Sequence, residues 1–456
     1  MAFGIKLVGN DLFVPCVDGI DRPYVNLDAA ASTSALVEVS DAVTDFLPWY
    51  SSVHRGTGFK SQRSTQAYEQ ARESVLRFAN RAGRDDIAVF CRNTTEAINQ
   101  LAYRMRFSSD DVVVTTVVEH HANLLPWGRV ATRRFVECRA DGTFSAEDVT
   151  RALAESPKPK LLTITGASNV SGWLPPLEAI IEAAHRHDVP VLVDAAQLAP
   201  HRPLPAQADF IVFSGHKMYA PYGAGVLIGP REFFREGDPF LAGGGAVELV
   251  DLDEVVWSEP PDREEAGSPN VIGAIALGAA ASRLLEIGFE EILRHDQELA
   301  TLLRSGIKSI SGVTLLGPSL ETDTLPVASF VVDGMPHALI AARLSAEFGI
   351  GVRNGCFCAH PYLVRLLGLS PSEVDRFRHG ARNHIRSSLP GAVRASTGIS
   401  TTHEEVVELL RALSEIVQHR TPSFDYVSDP VTGEYWPEGF ARPDEDLGKN
   451  SICSPG

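Results

Sequence analysis

A lysine follows an apolar run in Phe213-Ser214-Gly215-His216-Lys217-Met218-Tyr219. Ile211-Val212-Phe213, with Ala208-Asp209 before it and small polar residues after it, reads as a central strand of a parallel sheet. Ligands of open α/β sheets lie at the carboxyl ends of such strands, so Lys217 points at a ligand. A lysine amine can condense with an aldehyde. Ser-Gly-His-Lys alone reads equally as a solvent lysine at a strand end. A second apolar strand, Val191-Leu192-Val193-Asp194, ends in a carboxylate, which is costly to bury unless a cation meets it. A protonated pyridine nitrogen is such a cation, and pyridoxal 5′-phosphate carries both the aldehyde and the pyridine. Gln197 follows one turn on.

Four other places hold candidate chemistry. Thr94-Thr95-Glu96 opens a helix with apolar residues at Ala97, Ile98, Leu101, Ala102 and Met105. Thr94 or Thr95 is a natural N-cap, and free amides with the positive dipole end suit a phosphate, although every capped helix shares these features. His120 and His121 follow the strand Val112 to Val118. They point in different directions without a third convergent ligand, so no metal site is expected, and an imidazole stacked on a flat cofactor fits better. The loop Val53-His54-Arg55-Gly56-Thr57-Gly58 suits ligand contact but, taken alone, reads as a connection. Cys356 and Cys358 stand out among six sparse cysteines (the others are Cys16, Cys91, Cys138 and Cys453), which form no disulfide framework.

The elements that position these residues alternate. Helices are expected over Leu36 to Tyr50 and on to Ala79, then strands at Ile87–Phe90 and Val112–Val118, with an apolar helix after Asn123. Strands at Phe135–Val136 and Leu161–Thr165, a helix near Leu177–His187 and a strand Gly223–Ile228 continue the pattern. Such repetition implies an α/β fold with a doubly wound, mostly parallel sheet. Gly243-Gly244-Gly245 and Val250 to Arg263 look irregular, and a small-residue helix runs from Ile272 to Leu285. A break near Gly288 opens a smaller α+β domain with a helix through Ile307, a strand Val327–Val332, and helices Ala338–Phe348 and Glu404–Val417. The division expected is an N-terminal arm 1–27 packed with the small domain, a large cofactor-binding domain 28–287, a small domain 288–420 and a tail 421–456. The tail reads as irregular but docked, near 362–392 or a second copy, because Tyr426, Tyr435, Trp436 and Phe440 are too apolar to leave in water.

Composition narrows the function classes. With 44% hydrophobic and 22% charged residues the chain reads as soluble and globular. A net charge of −17 argues against nucleic-acid partners, and no apolar run is long enough to cross a membrane or resembles a signal peptide. The expectation is a cytoplasmic protein.

Motifs in order then resemble one family. Asn26-Leu27-Asp28-Ala29-Ala30, Val53-His54-Arg55-Gly56, Arg92 to Asn99, Glu119-His120-His121-Ala122-Asn123 with Pro126-Trp127, Val193 to Gln197, Phe213 to Tyr219 and Ala266-Gly267-Ser268-Pro269-Asn270 look like the class V aminotransferase superfamily. Within it they are closest to SUF-type cysteine desulfurases and selenocysteine lyases, over roughly residues 20–415. The resemblance implies PLP fold type I, with Lys217 carrying pyridoxal 5′-phosphate and Asp194 facing its ring nitrogen. His120 stacks on the ring and Gln197 meets the phenolic oxygen. Thr94, Thr95, Ser214 and His216 hold the phosphate, with Ser268 supplied by a neighbouring subunit, hence a homodimer with shared sites. His54, Arg55, Asn169, Arg353 and Arg394 bind substrate, the last through its carboxylate.

Arg353-Asn354-Gly355-Cys356-Phe357-Cys358-Ala359-His360-Pro361 matches the loop of the sulfur-accepting cysteine, here Cys358, and its Gly-Cys-Phe-Cys form resembles molybdenum-cofactor sulfurases. Gly166 stands where desulfurases usually have a histidine, residues 362–392 are longer than the SUF-type equivalent, and the tail has no counterpart. The implied activity is a cysteine desulfurase that converts cysteine to alanine with a persulfide on Cys358, passed to a sulfur-acceptor protein. Two alternatives stay open: another class V enzyme, such as a β-lyase, epimerase or aminotransferase, with Cys358 structural, and a cofactor-binding scaffold without turnover.

Overall fold

The computed structural model describes residues 4–54, 56–385 and 389–442. Its large sheet has seven strands in the spatial order 86–91, 225–230, 210–214, 191–194, 161–165, 112–116 and 132–136. Runs such as Val112–Thr116 and Leu161–Thr165 are buried at every position, as strands covered on both faces must be. Only Gly225–Pro230 runs antiparallel to its neighbours, pairing with both Phe210–Ser214 and Asp86–Cys91. The other strands therefore share one carboxyl edge, where Thr94, His120, Asp194 and Lys217 emerge. A Cβ at Gly225 would lie 2.6 Å from the Cα of Asn93, so glycine lets the turn after Asp86–Cys91 close over its neighbour.

Asn93, not Thr94 or Thr95, caps the helix Thr94–Arg104. Its extended backbone lets the side chain accept from the Glu96 N–H at 3.0 Å, while Thr94 is already helical. The helices Phe59–Phe78 and Val271–Ile287 pack along each other, and Gly288, at φ 87°, turns the chain into the helix Phe289–Ser309. The first expected helix ends at Phe46 and tightens into the turn Leu47–Trp49. After Asn123 the chain forms only the short helix Trp127–Val130.

A second, four-stranded antiparallel sheet orders 313–316, 327–332, 392–396 and 353–355. Helices Phe289–Ser309, His337–Phe348 and His403–Gln418 cover it, and Leu299, Phe330, Ile340 and Leu409 are fully buried in its own core. Val25 and Leu27 join that core, with Val25–Asn26 pairing in parallel with Ile350–Gly351.

Two stretches that read as irregular are hairpins. Val247–Val250 pairs with Val255–Trp257, and Tyr426–Ser428 with Tyr435–Pro437. The tail hairpin lies on the helix His337–Phe348, where Tyr426 Oη donates to Glu347 Oε1 at 2.9 Å, rather than on the 362–392 segment. Residues 443–456 of the expected tail lie outside the described residues. Among the described residues no single helix is long and apolar enough to cross a membrane.

Candidate active site

A cavity of about 240 Å³ opens at the carboxyl edge of the large sheet. Lys217 enters it from the turn Gly215–Lys217 that ends the strand Phe210–Ser214. Loss of hydration pulls the Lys217 ammonium down to about 8, with the Asp194 carboxylate pulling the other way. Asp194 is 4% exposed, accepts from the Ala196 N–H at 3.0 Å, and is pushed up by burial. No ion pair neutralises it among the described residues. A buried carboxylate that faces a cavity with one backbone donor fits a pyridinium partner, and an amine near neutrality beside it fits an aldehyde.

One end of the cavity is built from the helix start. The Thr94 N–H donates to Ser214 Oγ at 2.7 Å, and the two hydroxyls also lie 2.7 Å apart. Thr95 is exposed in the helix's first turn, and His216, held down to about 4 by burial and then by Lys217, is a neutral neighbour. Amides, hydroxyls and the dipole of an eleven-residue helix suit an anion.

His120 accepts from the Ala122 N–H through Nδ1 at 3.0 Å, which fixes its ring at the head of the turn 121–123. Burial, then the Lys217 charge, hold it down at about 3, so it presents a neutral ring to the cavity. Gln197 is buried and steadied by donating from Nε2 to the Ala30 carbonyl at 2.7 Å.

The opposite wall comes from the small sheet. Arg394, buried in the strand Ala392–Ser396, donates to the Asn169 carbonyl at 2.9 Å and to Asp28 Oδ1 at 3.0 Å, and lies over the Phe357 ring. The exposed Arg353 reaches Asp28 Oδ2 at 3.8 Å. Asn169 donates from Nδ2 to the Phe357 carbonyl at 2.7 Å. Phe357 and Cys358 both sit in the left-handed region, at φ 53° and 54°, in a turn that brings exposed Cys358 to the cavity. Cys356 is half-buried, and burial raises its thiol.

Lys217, His120, Thr94, Thr95, Asp194, Gln197, Ser214, His216, Asn169, Arg353, Cys358 and Arg394 thus share one cavity. His54 and Ser268 do not. They line a separate cleft of about 130 Å³ with Ser51, Gly267 and Val271. Arg55 lies outside the described residues. Sequence reasoning missed Asp28, which joins both arginines; the only hint was a carboxylate closing the Asn26-Leu27-Asp28 arm. At Gly166 a Cβ would come 3.0 Å from that of Leu198, so this position takes no side chain unless Leu198 moves. Among the described residues no group of three or more His, Cys, Asp or Glu is arranged to hold a metal.

The family model of the class V aminotransferases matches residues 25–409, and the chain belongs to that family. The family depends on pyridoxal 5′-phosphate and has PLP fold type I. More particularly, the chain is similar to a probable cysteine desulfurase of Halalkalibacterium halodurans, 38% identical over 381 residues that span 81% of this chain and 92% of the relative. It is also similar to a cysteine desulfurase of Shigella sonnei, 34% identical over 429 residues, 91% of this chain and 99% of the relative. Among solved structures, an apo cysteine desulfurase from Thermococcus onnurineus superposes with a TM-score of 0.77 at 32% identity, covering 87% of this chain and 95% of that one.

Proposed function

We propose that the chain is a pyridoxal phosphate-dependent cysteine desulfurase, which takes the sulfur of cysteine onto Cys358 and releases alanine. The observation that carries this reading is that Cys358 and Arg394, from the small sheet and its loop, meet the same cavity as Lys217 and Asp194 from the large one. When bound, pyridoxal 5′-phosphate supplies an electron sink for the bonds to the substrate α-carbon. Asp194 would face its ring nitrogen, His120 its ring and Gln197 its phenolic oxygen. Thr94, Thr95, Ser214 and His216 would hold its phosphate.

Lys217, near neutrality at about 8, would carry the cofactor and move the α-proton. Arg394, oriented by Asp28 and the Asn169 carbonyl, takes the substrate carboxylate, with Asn169 and Arg353 beside it. The Cys358 thiolate attacks the substrate sulfur. The S–S bond forms as the C–S bond breaks, and the electron pair left on carbon takes a proton. Cysteine and one thiol thus become alanine and one persulfide, with no outside oxidant. Because Cys358 is exposed, that persulfide is within reach of a sulfur-acceptor protein.

Two copies complete the site in this reading. Ser268 and His54 lie away from their own chain's Lys217, and the hairpin Val247–Trp257 holds out Leu249, Val250 and the 99% exposed Leu252. An apolar face of that kind favours burial against a second copy, which would bring Ser268 to the partner's phosphate end. Five described cysteines are free, which fits a reducing, cytoplasmic setting. The test is incubation of the loaded protein with L-cysteine and a reductant. Alanine and sulfide should appear in equal amounts, and Cys358→Ser should abolish both. If the wild type forms no alanine, the reading fails.

A further inference from the structure

On the outer side of the cavity two imidazoles stack that take no part in the chemistry above. The rings of His121 and His360 lie 5.1 Å apart with planes inclined by 9°. His121 belongs to the turn after the strand Val112–Thr116, whereas His360 opens the helix His360–Leu366 immediately after the cysteine turn. The His121 N–H donates to the Cys358 carbonyl at 2.8 Å. In return, the His360 N–H donates to His121 Nε2 at 3.2 Å, and His360 Nδ1 is 3.3 Å from the same nitrogen.

These contacts serve a definite need. The helix His360–Leu366 has no side-chain bond from its own cap residue Ala359, so its first N–H must find an acceptor elsewhere. Nε2 of His121 provides it, which places the ring proton on Nδ1. Burial holds both imidazoles below their ordinary range, which keeps that acceptor free at neutral pH. The turn needs holding as well. Two successive non-glycine residues, Phe357 and Cys358, sit in the sterically costly left-handed region. His121 itself does not line that cavity, although His120 and Ala122 on either side of it do.

We propose that His121, with His360 stacked on it, is a positioning residue that clamps the cysteine turn and so holds Cys358 over the Lys217 cavity. Its effect on turnover rests on the desulfurase reading; the clamp itself does not. His121→Phe keeps a flat ring but loses the acceptor, whereas His121→Gln keeps an acceptor oxygen. In the cofactor-loaded enzyme, His121→Phe should lower kcat about tenfold or more while KM stays put, because Arg394 is untouched. Hydrogen exchange of the 357–360 amides should speed up about tenfold in the same variant. His121→Gln should recover most of both.

Should His121→Phe fail to fold, His360→Ala removes the stacked ring and is read by the same exchange measurement, with the same direction expected. Unchanged exchange in the folded variants, or faster exchange with unchanged kcat, overturns the proposal. If the wild type makes no alanine from cysteine, the desulfurase reading falls, and the exchange rates alone decide whether the clamp exists.

Discussion

Lys217 and Asp194 stand at the ends of fully buried parallel strands, whereas Cys358 stands on a turn with two left-handed residues, tied down by single hydrogen bonds from Asn169 and His121. One wall of the cavity is set by the same core that forms the sheet. The other joins segments far apart in sequence: Phe357 and Ala359 on either side of Cys358 are buried in the core, while Cys358 itself is exposed and its turn is fixed by a few polar contacts. The first wall cannot shift without unpacking the core. The second leaves its thiol exposed between buried neighbours, as suits a group that must reach a substrate and then present its product outward.

The largest expected effect breaks the first wall. Lys217→Ala should lose the visible absorption of the loaded protein and any borohydride-fixed cofactor, with turnover down by about 10⁴ or more. Cys358→Ser should lose sulfide release to a similar extent while keeping the absorption and its response to added cysteine. Loss of the absorption in both variants would mean the walls are not separable as described. Next, Asp28→Asn should raise KM for cysteine about tenfold, because Arg394 and Arg353 lose the carboxylate that aligns them. An unchanged KM would leave Asp28 without a role in orienting substrate.

A pH dependence sharpens the same contrast. Folding holds Lys217 at about 8, below the value near 10.4 of a free lysine. Between those values the unfolded chain binds more protons, so the cofactor-free protein should gain stability as pH rises through about 8 to 10, by about 3 kcal/mol at most. Denaturant midpoints across that range should rise for wild type and stay flatter for Lys217→Met; parallel curves would mean the amine is not desolvated. The smallest effect is expected far from both walls. Deleting residues 421–456 should lower Tm by a few degrees, since the hairpin braces the helix His337–Phe348, and leave kcat alone. A fall in kcat would tie the tail to the cysteine wall.

How much was legible follows the same division. Strands such as Val191–Asp194 and Phe210–Ser214 announce themselves as short apolar runs, and the residue after each run falls at the ligand edge. Lys217, Asp194 and Thr95 could therefore be assigned to the cavity before any coordinates. Asp28 could not, because its pairing with Arg394 joins the arm to a strand near the other end of the chain. The hairpin Val247–Trp257 was hidden for a different reason: its three- and four-residue strands are flanked by three glycines and by Asp251, Asp253 and Glu254, which read as loop. The Asn93 cap was overlooked because two threonines beside it are equally good candidates by type; only the backbone decides.

The arm has a consequence for how the chain is made. Val25 and Leu27 belong to a core whose other members lie beyond residue 298, and their strand partner is Ile350. A ribosome adding about 5–20 residues per second leaves that strand waiting tens of seconds for its mate. The large sheet, complete by Pro230, can close in the interval, and the arm is then stitched in among the last contacts. A stretch made about 300 residues before its partners would thus be among the last to find its place, and mutations in it should slow the final stage of maturation rather than its start.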